Sequence, residues 1–212
     1  MGQPSTIKQP AVDRSPSKRE VNRDKLLRTG TELLSRQSYA ATGVDLVIKE
    51  AGLTKGTFYH YFKGKEWFAL EVVQQYAAYF NDKLDTYLLN EAEPPLERLA
   101  AYVHDSIKTL KRHDFVRACV VGNLSQELGA IDSVVVDALQ ETFLGWEQRV
   151  EACLEEARAR GDIKATADVT ALATLFWMGW EGALMQARLF KRPDPIRVFF
   201  DGYIKMVRQQ VK

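Results

Sequence analysis

The chain has 212 residues, of which 46% are hydrophobic and 27% charged, with a formal net charge of +1. These proportions exclude bulk disorder and a collagen-like fibre, and the near-neutral total excludes a chain that binds polyanions along its whole length. Such a length makes one moderate domain or two small ones and buries a core without disulfide or metal staples. The two cysteines, Cys119 and Cys153, form neither a disulfide framework nor a metal-binding pair. They suit a reducing, cytoplasmic setting, and no cofactor or metal motif is present.

Residues 1–18 contain Pro4, Pro10 and Pro16 with scattered serines and basic residues and no apolar period, which predicts a flexible arm. They also lack the apolar core of a signal peptide. Leu26, Leu27, Leu33 and Leu34, with Gly30 between them, predict a first helix over 19–37. Val44, Val47, Ile48 and Ala51 predict a second, with Thr42 placed to cap it. A third short helix is predicted over 54–61. Longer helices follow over 65–89, 95–111, 114–128, 132–160, 165–190 and 195–210, punctuated by Pro94-Pro95, Gly129, Gly161 and Pro193/Pro195. No segment shows the period-2 alternation of a strand, so the chain is expected to be all-α with about nine helices. Glu181, Gln186 and Arg188 interrupt the apolar stretch Val169–Phe190, which reads as a buried helix and not a membrane span.

Charge is unevenly spread. Residues 1–65 carry a net +6 and residues 66–212 a net −5, which points the first third toward a polyanion. Within that third, Ala51-Gly52-Leu53 joins two short helices in the manner of a helix-turn-helix: a small residue, one free to adopt positive φ, and an apolar plug. Phe58 and Phe62, four apart, would anchor the second of these helices. That leaves Thr54, Lys55, Thr57, Tyr59, His60 and Tyr61 to face DNA, with Gly56 allowing close approach. Lys63 and Lys65 flank the start of the next helix, whose free amides also favour phosphate. A plain helical hairpin with a core of aromatics is the competing reading, but the polarity of 54–61 argues against it.

The runs Tyr39-Ala-Ala-Thr-Gly-Val-Asp45 and Ile48-Lys-Glu-Ala-Gly-Leu-Thr-Lys-Gly-Thr-Phe-Tyr-His-Tyr-Phe62, followed by Lys65-Glu66, closely resemble the N-terminal domain of TetR-family transcriptional repressors. One departure is Gln37-Ser38, where the family often has a helix-ending glycine. The resemblance implies a helix-turn-helix DNA-binding domain over 19–65 and a helical ligand-binding and dimerisation domain over 66–212. It assigns Thr42, Tyr59, Tyr61 and Lys65 to the phosphate backbone. Thr54, Lys55, Gly56, Thr57 and His60 are assigned to base edges or nearby phosphates. The arm, with Arg14, Lys18 and Arg19, adds nonspecific attraction, reaches a minor groove or is a solvated tail.

Residues 117–128, Trp146 and Gly161-Asp-Ile163 resemble a subgroup that includes acrylate-responsive and N-ethylmaleimide-responsive repressors. That implies a reactive small molecule as a signal and a sensing role for Cys119. Arg117 and His113 lie close enough in sequence to lower a thiol pKa, yet pocket lining and inert core are open alternatives for Cys119. Asn123, Trp146, Trp177, Trp180 and Glu181 complete the expected ligand set, the aromatics and one carboxylate suiting an apolar ligand with a polar handle. Core packing competes with that role for each aromatic, and a basic partner competes for Glu181. The resemblance further implies a homodimer through the helices at 165–190 and 195–210, two recognition helices reading a palindromic double-stranded operator, and an inducer that releases them. A non-sequence-specific DNA-coating protein is an alternative. A cysteine enzyme using His104 or His113 as base is another, although no triad spacing or oxyanion loop supports it.

Overall fold

The computed structural model describes residues 17–131 and 133–209. The predicted arm therefore lies outside the described residues except for Ser17 and Lys18, and Asp132 and residues 210–212 also lie outside. The described residues form nine helices and no strand: α1 (Lys18–Arg36), α2 (Val44–Ala51), α3 (Lys55–Tyr61), α4 (Lys65–Leu88), α5 (Pro95–Arg112), α6 (Val120–Leu128), α7 (Val134–Ala159), α8 (Val169–Phe190) and α9 (Asp194–Gln209). None is long and apolar enough to cross a membrane.

Local chemistry sets most boundaries. Ser17 and Glu20 form a reciprocal capping box that starts α1: the serine hydroxyl accepts from the Glu20 amide at 3.3 Å and the glutamate accepts from the Ser17 amide at 2.7 Å. Gly52 ends α2 at φ 59°, a conformation nearly free for glycine alone. Pro95 opens α5, where its missing N–H costs nothing. Lys191, in the left-handed region, ends α8, and the Arg192 amide closes back on the Ala187 carbonyl at 3.2 Å.

Two sequence expectations need correction. Thr42 does not cap α2; Gly43 holds the N-cap position and makes no side-chain cap. The Thr42 side chain is buried. Its hydroxyl donates to the Ser38 carbonyl at 2.9 Å and accepts from the Gln37 side-chain Nε2 at 3.1 Å, pinning the α1–α2 turn. The helix predicted over 114–128 begins only at Val120, because Asp114 and Phe115 stand at φ 50° and 55°, which no α-helix accommodates. The Phe115 amide instead closes α5 on the Leu110 carbonyl at 2.9 Å, and the chain runs irregularly to Cys119, the N-cap of α6.

The body is built outward from α4, which packs on α1, α5 and α7. Helix α7 packs in turn on α8, and α8 on α9. Buried Arg98 ties three elements: it donates to the Glu93 carbonyl at 2.7 Å and the Leu88 carbonyl at 3.0 Å, and pairs with Glu156 of α7 at 2.8 Å. Helix α1 meets α4 over Gly30, where a Cβ would lie 2.4 Å from Phe68 Cζ and 2.8 Å from Val72 Cγ2. Gly30→Ala gains roughly 1 kcal/mol of helix propensity but drives a methyl into a fixed ring. Chemical denaturation should therefore show a net loss of about 1–2 kcal/mol, and an unchanged midpoint would mean that the two helices are loosely apposed.

Candidate functional site

The surface of α3 is presented on a rigid mount. Phe58 and Phe62 are buried, and with Phe68 they form a triangle of rings with centroids 5.0–5.3 Å apart. Thr54 caps the helix by accepting from the Thr57 amide at 3.2 Å, and the two hydroxyls are 2.9 Å apart. Outward from this mount, Thr54, Lys55, Gly56, Tyr59 and His60 are exposed, Tyr59 to 51%, while Thr57 is half-buried. Lys55 meets Asp45 at 3.4 Å with both side chains in solvent, a pair weak enough to yield to a phosphate. Lys63 stands 5.1 Å over the Trp67 ring. The N-cap of α4, Gly64, brings no side-chain cap, so that helix start keeps its amides free of side-chain partners.

Three residues expected at phosphate are engaged within the chain. Thr42 is buried as described. The Tyr61 hydroxyl donates to the Arg19 carbonyl at 3.0 Å and fastens α3 to α1. Lys65 donates to the Tyr39 carbonyl at 2.6 Å and lies 4.0 Å over the Tyr39 ring; partial burial lowers its pKa, opposed by the charge of Glu127. Glu127, on α6, accepts from the Tyr39 and Ala40 amides at 2.8 and 3.2 Å. The turn before α2 is thus clamped between a lysine and a glutamate.

Beneath this unit lies a cavity of about 640 Å3 walled by side chains of α1, α4, α5, α7 and α8 and by Arg117, Ala118 and Cys119 ahead of α6. Five of the expected ligand residues line it: Cys119, Trp146, Trp177, Trp180 and Glu181. Trp146 and Trp177 stack at 5.0 Å, and Trp180 stacks on Phe176 at 5.9 Å. Asn123 is not among the lining residues. Its amide donates instead to the Leu34 carbonyl at 3.0 Å, at the end of α1, which corrects its assignment to the ligand.

Activation of Cys119 by Arg117 is also corrected. Arg117 pairs with Glu32 at 3.4 Å. The thiol lies in the cavity wall, its sulfur accepting from the Gly122 amide at 3.4 Å. Burial, then the charge of Glu181, push its pKa well above the ordinary range. The His113 pKa, by contrast, is held low, by burial and by Arg117 and Arg112. Glu181 finds no basic partner among the described residues; burial pushes its carboxyl up to about 7, against a hydrogen bond with Cys119 that lowers it.

A family model described as bacterial regulatory proteins, tetR family, matches residues 26–72, and another, tetracyclin repressor-like C-terminal domain, matches 95–203. The chain belongs to the tetR family. It is 41% identical over 174 residues to the transcriptional regulator AcuR of Cereibacter sphaeroides, covering 82% of this chain and 80% of that one. It is 24% identical over 174 residues to the transcriptional repressor NemR of Escherichia coli K12, covering 82% and 87%. The crystal structure of a regulatory protein TetR from Rhodobacter sphaeroides matches with a TM-score of 0.84 at 38% identity, covering 87% of this chain and 98% of that one.

In this tetR-family chain, sequence reasoning missed Tyr76, Tyr102, Ser106 and Arg117, which also line the cavity. Tyr76 and Tyr102 look like core periodicity on their own helices, and only tertiary packing turns them to a common space. The titration of Glu181 has a readable consequence. A buried acid with a raised pKa favours folding below its ordinary pKa of 4.5 and loses that contribution as pH rises to about 7. Keeping it ionised above that point costs on the order of 3 kcal/mol. Glu181→Gln, neutral throughout, should gain stability relative to the parent as pH rises from about 5 to about 8. Thermal melts across this range check it, and a constant difference would refute the assignment.

Proposed function

We propose that this tetR-family chain is a dimeric cytoplasmic repressor that reads a palindromic operator through α3 and leaves it when a small molecule fills the cavity. The observation that carries the reading is a polar, exposed row on α3 (Thr54, Lys55, Gly56, Tyr59, His60) held by a buried aromatic triangle at the basic end of the molecule. The repressor names of several relatives support it. Residues 19–65 serve as the DNA-binding unit and 66–212 as the regulatory body. Lys55, Tyr59 and Lys63 would meet phosphate, while Thr54, Gly56, Thr57 and His60 would meet base edges or adjoining phosphates. Thr42, Tyr61 and Lys65 position this unit through the contacts already described.

The dimer surface is proposed on α8 and α9. Met178, Gly182, Met185 and Leu189 fall on one face of α8, where Met178 is 67% and Leu189 72% exposed. Val198, Gly202 and Met206 fall on one face of α9, where Val198 is 73% exposed and a Cβ at Gly202, as at Gly182, would meet nothing within 4 Å. Contiguous apolar surface of this kind is expected at a subunit contact. With the Cys119 thiol held high, a non-covalent ligand is favoured over an electrophile or oxidant as the signal.

The route from cavity to DNA runs through the last turn of α1. Its final carbonyls are taken by the body: Leu34 by Asn123, Ser35 by the Ala118 amide at 2.8 Å, and Arg36 by Arg188 of α8. Ala118 and Cys119 belong to the cavity wall. A ligand that displaces them relocates the end of α1 and with it the packed α2–α3 unit. It shifts the DNA-binding equilibrium only by its differential affinity for the two arrangements.

Titration with DNA from upstream of the gene, against shuffled competitor at two salt concentrations, tests the function. Binding without sequence preference would favour the DNA-coating alternative. Tyr59→Ala should cost about 1–3 kcal/mol of operator binding with the dimer intact, and unchanged affinity would remove Tyr59 from the interface. Gly182→Arg should shift sedimentation toward monomer and abolish high-affinity operator binding, whereas an unchanged dimer would move the subunit contact elsewhere.

A further inference from the structure

Among the described residues, five buried side-chain polar atoms lack a hydrogen-bond partner: Ser106 Oγ, Arg117 Nε, Trp146 Nε1, Trp177 Nε1 and Glu181 Oε1. All five residues line the one cavity of about 640 Å3. A folded interior pairs nearly all of its buried polar groups, and each one left alone costs about 1–3 kcal/mol. Their concentration around a single space marks groups that a guest satisfies. The chemistry of the set is lopsided. The two indole N–H groups and the guanidinium Nε–H can only donate, a hydroxyl can do either, and Glu181 alone is a dedicated acceptor when ionised.

Glu181 is held so that it too can donate. Its Oε2 sits over the first turn of α6, 2.1 Å from where a Cβ on Gly122 would be, so only glycine admits it there. The groups that face it are Tyr76 of α4, Tyr102 of α5 and the Cys119 thiol. From α7 and from its own helix, the cavity contributes the indoles of Trp146, Trp177 and Trp180. The charged groups elsewhere on the cavity wall are mostly committed: Lys83 to Asp105 at 2.8 Å and Arg117 to Glu32 at 3.4 Å, leaving Arg28 and His113 on the wall. No ion pair reaches the Glu181 carboxylate among the described residues, and burial without a counter-ion favours its neutral form.

Resting on the reading of this cavity as the regulatory ligand site, we infer that it takes a compact, mostly apolar molecule bearing an oxygen acceptor and no donor, a ketone, ester or similar carbonyl compound, and that Glu181 meets that oxygen as a neutral acid. The Trp146 and Trp177 N–H groups supply the further donors, and the aromatic walls hold the apolar body. Binding such a molecule takes up a proton whenever Glu181 is ionised beforehand. Affinity is then flat at low pH and falls tenfold for each unit above the carboxyl pKa. A guest that donates, such as a phenol, would show the opposite slope.

The test uses the full-length protein and three monosubstituted benzenes: acetophenone (acceptor only), ethylbenzene (neither) and phenol (with a donor). Isothermal titration calorimetry is run at about pH 6 and about pH 8.5 in buffers of different ionisation heat, which reads proton uptake directly. Acetophenone should bind at least tenfold more tightly than ethylbenzene at the lower pH, weaken about thirtyfold at the higher one, and take up protons there. Glu181→Gln should bind acetophenone without pH dependence or proton uptake. Trp146→Phe should weaken acetophenone at both pH values and keep the slope. If Glu181→Gln fails to fold, the wild-type pH profile and buffer-dependent heat still decide. Equal affinity for acetophenone and ethylbenzene, a pH-independent acetophenone affinity, a preference for phenol or no binding of acetophenone would each overturn the inference. Operator binding is measured on the same preparation: its absence would sink the repressor reading while leaving the ligand assignment standing on the calorimetry.

Discussion

The end of α1 is where this structure is joined. A helix leaves its last four carbonyls without donors of its own. Here one is closed locally, by the Gln37 amide on Leu33, and the other three are closed by the body, through Asn123, the Ala118 backbone and Arg188. Had α1 ended in a self-sufficient glycine motif, the DNA-binding unit would be fastened to the body mainly through the packing of α1 on α4 and α6. The departure at Gln37-Ser38 from a glycine ending leaves those carbonyls open for the body to fill. The same turn is gripped from its other side, where Glu127 takes the amides of Tyr39 and Ala40 and Lys65 takes the Tyr39 carbonyl.

This arrangement explains why α6 is short. The left-handed residues Asp114 and Phe115 break the chain out of helix, so residues 116–119 run free enough for the Ala118 amide to point at α1. Cys119 then caps α6, and Gly122 leaves room for the Glu181 carboxyl against its first turn. One nine-residue helix thus touches the cavity at its beginning and the helix-turn-helix at its middle and end. Packed interiors do not deform smoothly, so a guest that resets its first turn resets its far contacts as well.

The exposed face of α3 and the cavity are made by opposite strategies. On α3 the polar atoms are left in water on a helix that its aromatics prevent from moving, which suits a partner that is itself rigid and charged. Around the cavity, five polar atoms are buried without a hydrogen-bond partner, a penalty that a complementary guest would relieve. Buried Glu181 belongs to the second strategy, and the same burial that raises its carboxyl also keeps the neighbouring Cys119 thiol protonated.

The sequence by itself determined the all-α class, nearly every helix boundary and the short polar helix α3, because capping residues, glycine turns and 3.6-residue periodicity act over a few residues and need no partner. Phe58 and Phe62 inward with Lys55, Tyr59 and His60 outward were legible for that reason, as was the family. Tertiary structure alone decided which polar side chains are spent inside the chain. Tyr61, Lys65 and Asn123 all carry groups suited to DNA or ligand, and each is drawn into a contact with a carbonyl whose position depends on how α1 meets α3, α4 and α6. It also set Cys119 into a buried wall, where burial and the neighbouring Glu181 raise its thiol pKa and Arg117 is turned to Glu32, because a pKa depends on solvent and charge in three dimensions.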